Sequence, residues 1–147
     1  MFEKILYPTD FSDVSKKALD YVKQLKKAGT KEVILLHIID KREVESIARY
    51  GEVSMGLEKG LEEKMEESLK QDIAAMEAEL RESGFDVKVR IEKGIPFREI
   101  LRVEEEEEAS VVVIGSHGKS CVEEMFLGSV SEKVVRKSTR PVLVIRR

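Results

Sequence analysis

Apolar residues along this chain fall into two alternating rhythms, short unbroken runs and stretches spaced by three or four, and the alternation predicts the architecture. Ile5, Leu6 and Tyr7 form the first run, stopped by Pro8, and read as a short strand. Ser12 is placed to cap a following helix that carries Val14, Ala18, Tyr21, Val22 and Leu25 on one face and ends at Gly29. From Val33 to Ile39 the sequence is apolar except at His37, the pattern of an interior strand covered on both faces.

Between Asp40 and Gly60 the period lapses and Gly51, Gly56 and Gly60 interrupt any helix, which predicts a loop or loose crossover. Leu61, Met65, Leu69, Ile73, Met76 and Leu80 then recur at helical spacing up to Gly84, and Phe85, Val87, Val89 and Ile91 alternate as a strand. Pro96 suits the first turn of a third helix bearing Phe97, Ile100, Leu101 and Val103. The five glutamates from Glu104 to Glu108 read as its solvated end, because consecutive positions point around a helix instead of converging on a metal. Val111 to Ile114 and Val142 to Ile145 complete the strands, and Pro141, lacking an N–H, favours an edge for the last.

Five strands alternating with four helices predict a single α/β domain over residues 1–147, an open doubly wound parallel sheet with helices on both faces. Such sheets bind ligands beyond the carboxyl ends of the strands, where the strand order reverses. In the order 3-2-1-4-5 the reversal lies between the first and fourth strands, and Pro8, Thr9 and Asp10 face Gly115 across one crevice; a flavodoxin-like order brings Gly94 there instead.

Composition narrows the function classes. With 26 basic and 29 acidic residues the net charge is -3, which argues against a nucleic-acid binder. No apolar run approaches the ~20 residues needed to cross a bilayer, and no basic-then-apolar leader follows Met1, so the expectation is a cytoplasmic protein without membrane attachment. A single cysteine, Cys121, forms no internal disulfide and reads as a small packing residue in a reducing compartment.

The candidate chemistry sits after the fourth strand. GSHGKSCVEEMFLGS, from Gly115 to Ser129, has the spacing G-x2-G-x9-G-S at Gly115, Gly118, Gly128 and Ser129. Glycines let main-chain N–H groups approach an anion, and a following helix aims its positive end at it. The GKS at Gly118 to Ser120 is not a P-loop, which needs a glycine where Val113 stands. Ser129 and Glu132 have capping-box spacing, so the serine hydroxyl serves either the helix or a phosphate. His37 and His117 make no metal site at their spacing: His37 reads as a strand residue with one satisfied hydrogen bond and His117 as a loop residue near the ligand.

The opening ILYPTDFSDVSKKAL, the strand end LLHIID, the turn Gly94 to Pro96, the glycine motif and the closing RPVLVIRR together resemble the universal stress protein family, in particular its ATP-binding branch. The resemblance implies that Pro8, Thr9 and Asp10 lie at the nucleoside, with Asp10 on the ribose hydroxyls or else capping the first helix. Ile38 and Ile114 border the base or simply pack the core. Gly115, Gly118, Gly128, Ser129 and the backbone of Val130 and Ser131 form the phosphate loop, with Lys119 reaching the phosphates or standing free in solvent. It further implies ATP with Mg²⁺ or Mn²⁺, a nucleotide-dependent switch in a stress response, and a homodimer through the final strands. No residue stands out as a water-activating base, so any ATP hydrolysis is slow or partner-dependent. The alternatives are a nucleotide-free dimeric interaction module of the same fold and, third, a true nucleotide hydrolase or transferase; the downstream protein partner is not legible. The sequence departs from the family at Cys121, Glu123 and Glu124, which add negative charge near the phosphates, and at Ser110, where relatives often carry aspartate.

Overall fold

The computed structural model describes residues 1–42, 55–118 and 127–147, with the backbone alone for residues 55–62 and 65. Five parallel strands form one sheet: β1 (Lys4–Pro8), β2 (Glu32–Asp40), β3 (Asp86–Gly94), β4 (Val111–Gly115) and β5 (Val142–Ile145), in the order β3-β2-β1-β4-β5. This is the order expected from the sequence rather than the flavodoxin-like one. The strands alternate their side chains between two cores. Ile5, Tyr7, Val33 and Leu35 pack against α1 (Asp13–Gln24) and α2 (Met55–Glu82), whereas Leu6, Ile34 and Val112 pack against α3 (Pro96–Glu106) and α4 (Ser129–Lys137). Among the described residues two helices thus cover each face, and the interior strands bury apolar side chains on both sides.

Local signals account for the element ends. Ser12 caps α1, its Oγ accepting from the Ser15 N–H at 3.2 Å. A 3₁₀ turn, Leu25–Ala28, then runs to Gly29, whose φ of 98° is the left-handed conformation glycine tolerates. Pro96 stands in the first turn of α3, and Pro141 precedes β5, which is an edge strand as its imide nitrogen suggests.

β1 ends at Pro8, as the sequence implied, with Pro8 still in register with Leu36; the ladder tolerates a missing N–H at a strand end. Three sequence expectations need correction. Tyr21 is 41% exposed, because Ser15 and Leu19 complete the buried face of α1 and leave Tyr21 on its flank. Gly56 and Gly60 lie inside α2 rather than in a loop, since an isolated helical glycine costs only about 1 kcal/mol against alanine; residues 43–54 of that expected loop lie outside the described residues. The glutamate run is not uniformly solvated. Glu104 is 1% exposed and accepts from Ser138 Oγ at 2.6 Å and Thr139 N at 3.2 Å, while Glu106 and Glu107 pair with Arg90 and Glu107 also with Lys88.

Candidate functional site

The order reversal places the carboxyl ends of β1 and β4 side by side, and the residues after each strand build two facing loops. On the β1 side Thr9 is buried and fully committed to the fold. Its N–H donates to Leu36 O at 2.9 Å, its hydroxyl lies 2.5 Å from Ser15 Oγ and accepts from Phe11 N at 3.1 Å, and its carbonyl meets His37 Nδ1 at 2.8 Å. Tyr7, beneath it, donates its phenol to Ser15 O at 2.6 Å, and burial pushes that phenol well above its ordinary range. His37 is the strand residue with a satisfied hydrogen bond that its position implied.

These contacts fix the turn that presents Asp10. Phe11 adopts φ 61°, an unusual conformation for a bulky side chain, and its ring packs 5.1 Å from that of His37. Asp10 Oδ1 accepts from Ser12 N at 3.0 Å, so the carboxylate braces the turn into α1 without capping the helix, which Ser12 does. The other oxygen, Oδ2, faces the second loop: a Cβ on Gly118 would lie 2.9 Å from it.

The second loop is clasped at Ser116. This serine is fully buried; its N–H donates to Ile145 O at 2.7 Å, and its carbonyl accepts from Gly128 N and from Ser131 Oγ, each at 2.7 Å. Its hydroxyl meets His117 Nδ1 at 2.7 Å, and His117 is a loop residue, as expected, and buried. The clasp joins the two ends of the glycine motif, so a Cβ on Gly128 would lie 3.3 Å from Ser116 O and 3.6 Å from Gly118 N. Gly115 has a different task. A Cβ there would meet Val14 Cγ1 at 3.0 Å and Ser15 N at 3.2 Å, so this glycine lets β4 pass close to the start of α1 and faces that helix rather than Asp10.

Gly128 is the N-cap of α4, and no side chain caps it. The capping-box expectation for Ser129 is therefore overturned. Ser129 is the first helical residue and exposed, Glu132 N bonds to Gly128 O at 3.0 Å, and the Glu132 carboxylate pairs with Arg136. The N–H groups of Ser129, Val130 and Ser131 open the helix, where no intrahelical carbonyl reaches them. They project from the helix end that carries partial positive charge. Ile38, at the end of β2, is half-buried, and Ile114 is buried; both belong to the apolar cluster that also holds Phe97 and Val130.

Pro8, Asp10, Gly118, Gly128 and the start of α4 are thus brought to one crevice, while Thr9, Gly115, His117 and the Ser131 side chain hold its walls. Lys119, Cys121, Glu123 and Glu124 lie outside the described residues. Ser110 is remote, accepting from Lys4 N at 2.8 Å at the other end of the sheet. Among the described residues no three His, Cys, Asp or Glu side chains converge to hold a metal ion. Ser116 and Phe11 escaped the sequence reading: the first is a small polar residue between glycines, the second carries no local sign of its left-handed backbone.

Residues 1–146 match the sequence profile of the Universal stress protein family. The chain belongs to this family. It is 42% identical to the universal stress protein MJ0577 of Methanocaldococcus jannaschii, over all of this chain and 96% of that one. The solved structure of MJ0577 superposes with a TM-score of 0.85, covering 100% of this chain and 97% of the other. Universal stress protein YxiE of Bacillus subtilis is 36% identical over 99% of this chain and 100% of its own. A universal stress protein solved in complex with cAMP shares the fold at 21% identity and a TM-score of 0.68, with 99% of this chain and 97% of that one covered. Membership puts the glycine motif in its context: in this universal stress protein the motif closes on itself through Ser116, and no helix among the described residues is long and apolar enough to cross a membrane.

Proposed function

We propose that this universal stress protein binds ATP in the crevice between the β1 and β4 loops and acts in the cytoplasm as a nucleotide-dependent switch with little hydrolysis of its own. The observation that carries the reading is the clasp at Ser116, which sets Gly118 and Gly128 together beside the unbonded N–H groups that open α4. An anion is what such a cradle of glycines and helix-opening N–H groups accepts. Asp10, opposite Gly118, supplies the carboxylate suited to ribose hydroxyls, and Ile38 supplies an apolar border for the base. The solved cAMP complex of another universal stress protein supports the nucleotide class for this fold.

Bound Mg²⁺ or Mn²⁺ would neutralise phosphate charge, and among the described residues Asp10 is the carboxylate that faces the glycine loop. Among the described residues of the crevice, Asp10 braces Ser12 N and His117 is bonded to Ser116, which supports holding ATP over cleaving it. Pairing of β5 across a two-fold axis completes the proposal. This edge strand presents Leu143, 38% exposed, and is flanked by exposed Tyr21 on α1 and Val135 on α4.

Calorimetric titration with ATP and Mg²⁺ tests the reading: saturable binding that weakens in Asp10→Ala and Gly118→Val supports it, and no binding at millimolar ATP overturns it in favour of a nucleotide-free dimeric module. Sedimentation of Leu143→Asp tests the dimer, with a shift to monomer expected and an unchanged wild-type monomer refuting it.

A further inference from the structure

One aromatic ring beside the crevice gathers three cations. Phe97, in the first turn of α3, has Lys133 Nζ 4.8 Å, Lys137 Nζ 5.1 Å and the Arg98 guanidinium carbon 5.7 Å from its ring centre. Among the described residues none of the three is in an ion pair, whereas Arg90, Arg102 and Arg136 on neighbouring surface are each paired with carboxylates. The nearest carboxylates along the same helices are engaged elsewhere, Glu99 with Arg102 and Glu132 with Arg136. Ring attraction alone is a weak reason to hold three like charges together, since each also repels the others.

Position gives the cluster a purpose. Ser129, Lys133 and Lys137 stand four residues apart and form one stripe of α4, on the side that packs toward α3. Lys133 is one helical turn, about 6 Å along the axis, below Ser129, and lysine side chains lean back toward the helix N-terminus. Phe97 also belongs to the same apolar cluster as Ile38 and Val130 at the rim of the crevice. The cations therefore continue the positive path that begins at the α4 N–H groups, with the Lys133 and Lys137 backbones about 6 and 12 Å along the axis from Ser129 and their side chains leaning back toward it.

We propose that Arg98, Lys133 and Lys137, held around Phe97, form a second anion subsite that takes the distal end of a nucleotide whose phosphate chain is longer than that of ATP. This rests on the nucleotide reading above and adds a preference by phosphate number. Phe97 keeps the long cationic chains ordered, so less side-chain entropy is lost when an anion docks.

The test is calorimetric titration of AMP, ATP and adenosine 5′-tetraphosphate into the wild-type protein and the K133Q/K137Q variant at physiological ionic strength. Wild type is expected to bind the tetraphosphate about tenfold more tightly than ATP, with a steeper salt dependence, as befits two or three partly exposed ion pairs. The variant is expected to lose that preference while AMP affinity stays within about twofold of wild type. Equal affinities for ATP and the tetraphosphate in wild type overturn the subsite without touching the ATP reading, and absence of binding by all three ligands overturns both. A packing role for the lysines predicts instead that the variant weakens all three ligands alike and melts earlier. Should the variant fail to fold, R98Q and the wild-type salt slopes decide the same question.

Discussion

Truncation of Glu104 measures how α3 is tied to the turn between α4 and β5. The carboxylate is 1% exposed and accepts three hydrogen bonds, from Ser138 Oγ at 2.6 Å, Thr139 N at 3.2 Å and Thr139 Oγ1 at 3.3 Å. A hydrogen bond to a charged group contributes about 1.5–3 kcal/mol. The short Ser138 bond earns the upper half of that range, whereas Thr139 is exposed and rehydrates when its partner is lost. Adding the cavity left by one methylene and the carboxylate and subtracting the relief of a buried charge, Glu104→Ala should cost about 3 kcal/mol. Glu104→Gln keeps the shape and one acceptor oxygen, and the Ser138 hydroxyl is free to rotate and accept from the new amide, so about 1 kcal/mol is expected. Urea unfolding at fixed protein concentration reads both losses as lower midpoints at unchanged slope. For a chain of this length the alanine variant should melt roughly 6–12 °C lower. A double-mutant cycle with Ser138→Ala isolates the short bond, with a coupling of about 1–2 kcal/mol expected. Coupling near zero, or an alanine variant within about 0.5 kcal/mol of wild type, refutes the assignment of a stabilising role to this buried carboxylate.

Gly128→Ala adds a Cβ 3.3 Å from Ser116 O at an ordinary φ of -68°, so reduced unfolded-state freedom offsets the crowding and stability stays within about 1 kcal/mol. Its ATP affinity should fall at least about tenfold by calorimetry as the loop opens, and unchanged affinity argues against phosphate at this cradle. Ser131→Ala removes a buried hydroxyl bonded to Ser116 O and Gly128 O and should cost about 1–2 kcal/mol in urea. Ser129→Ala should change stability by less than about 0.5 kcal/mol, because the exposed residue caps nothing; the reverse ranking refutes the capping geometry. Lys88 and then Arg90 hold the Glu107 carboxyl below its usual range, and Arg90 and then Arg102 do the same for Glu106. A carboxylate depressed in the folded state stabilises above its unfolded pKa of about 4.3, and that contribution is lost as pH falls below it. Arg90→Met should therefore flatten the acid limb of melting temperature against pH, and an unaltered limb counts against these pairs.

The glycine motif was legible because its requirement is local. A backbone that approaches an anion or another chain segment needs glycine wherever a Cβ would intrude, and Gly118 and Gly128 meet that need. Ser12 was legible for the same reason, since a cap acts three residues away. Glu104 was not, although the stripe of Phe97, Ile100 and Val103 already pointed at it: four residues after Ile100 and seven after Phe97, it shares their buried side. Counting it with four following glutamates hid that phase, and its partners stand 34 and 35 residues away. The capping alternative for Ser129 fails because the bond from Gly128 N to Ser116 O, set by tertiary contact, starts the helix one residue earlier than its spacing to Glu132 requires.

The side chains that shape the crevice point away from it. Thr9, Tyr7 and Ser15 lock the β1 loop from beneath, and Ser116 and Ser131 lock the glycine loop, all by bonds to backbone or to one another. Phe11 is held at φ 61° by this network, its N–H on Thr9 and its ring against His37. Such a conformation persists only where its surroundings over-determine it. For the proposed anion site the consequence is that the N–H groups opening α4 are anchored by the Ser116 clasp before any ligand arrives, which lowers the ordering cost of binding. On the proposed reading, selectivity among ligands falls in part to Asp10 on the β1 loop and to the cations around Phe97 on α3 and α4. Substitutions beneath the loops should alter stability and every ligand's affinity together, whereas substitutions at the rim should separate one ligand from another.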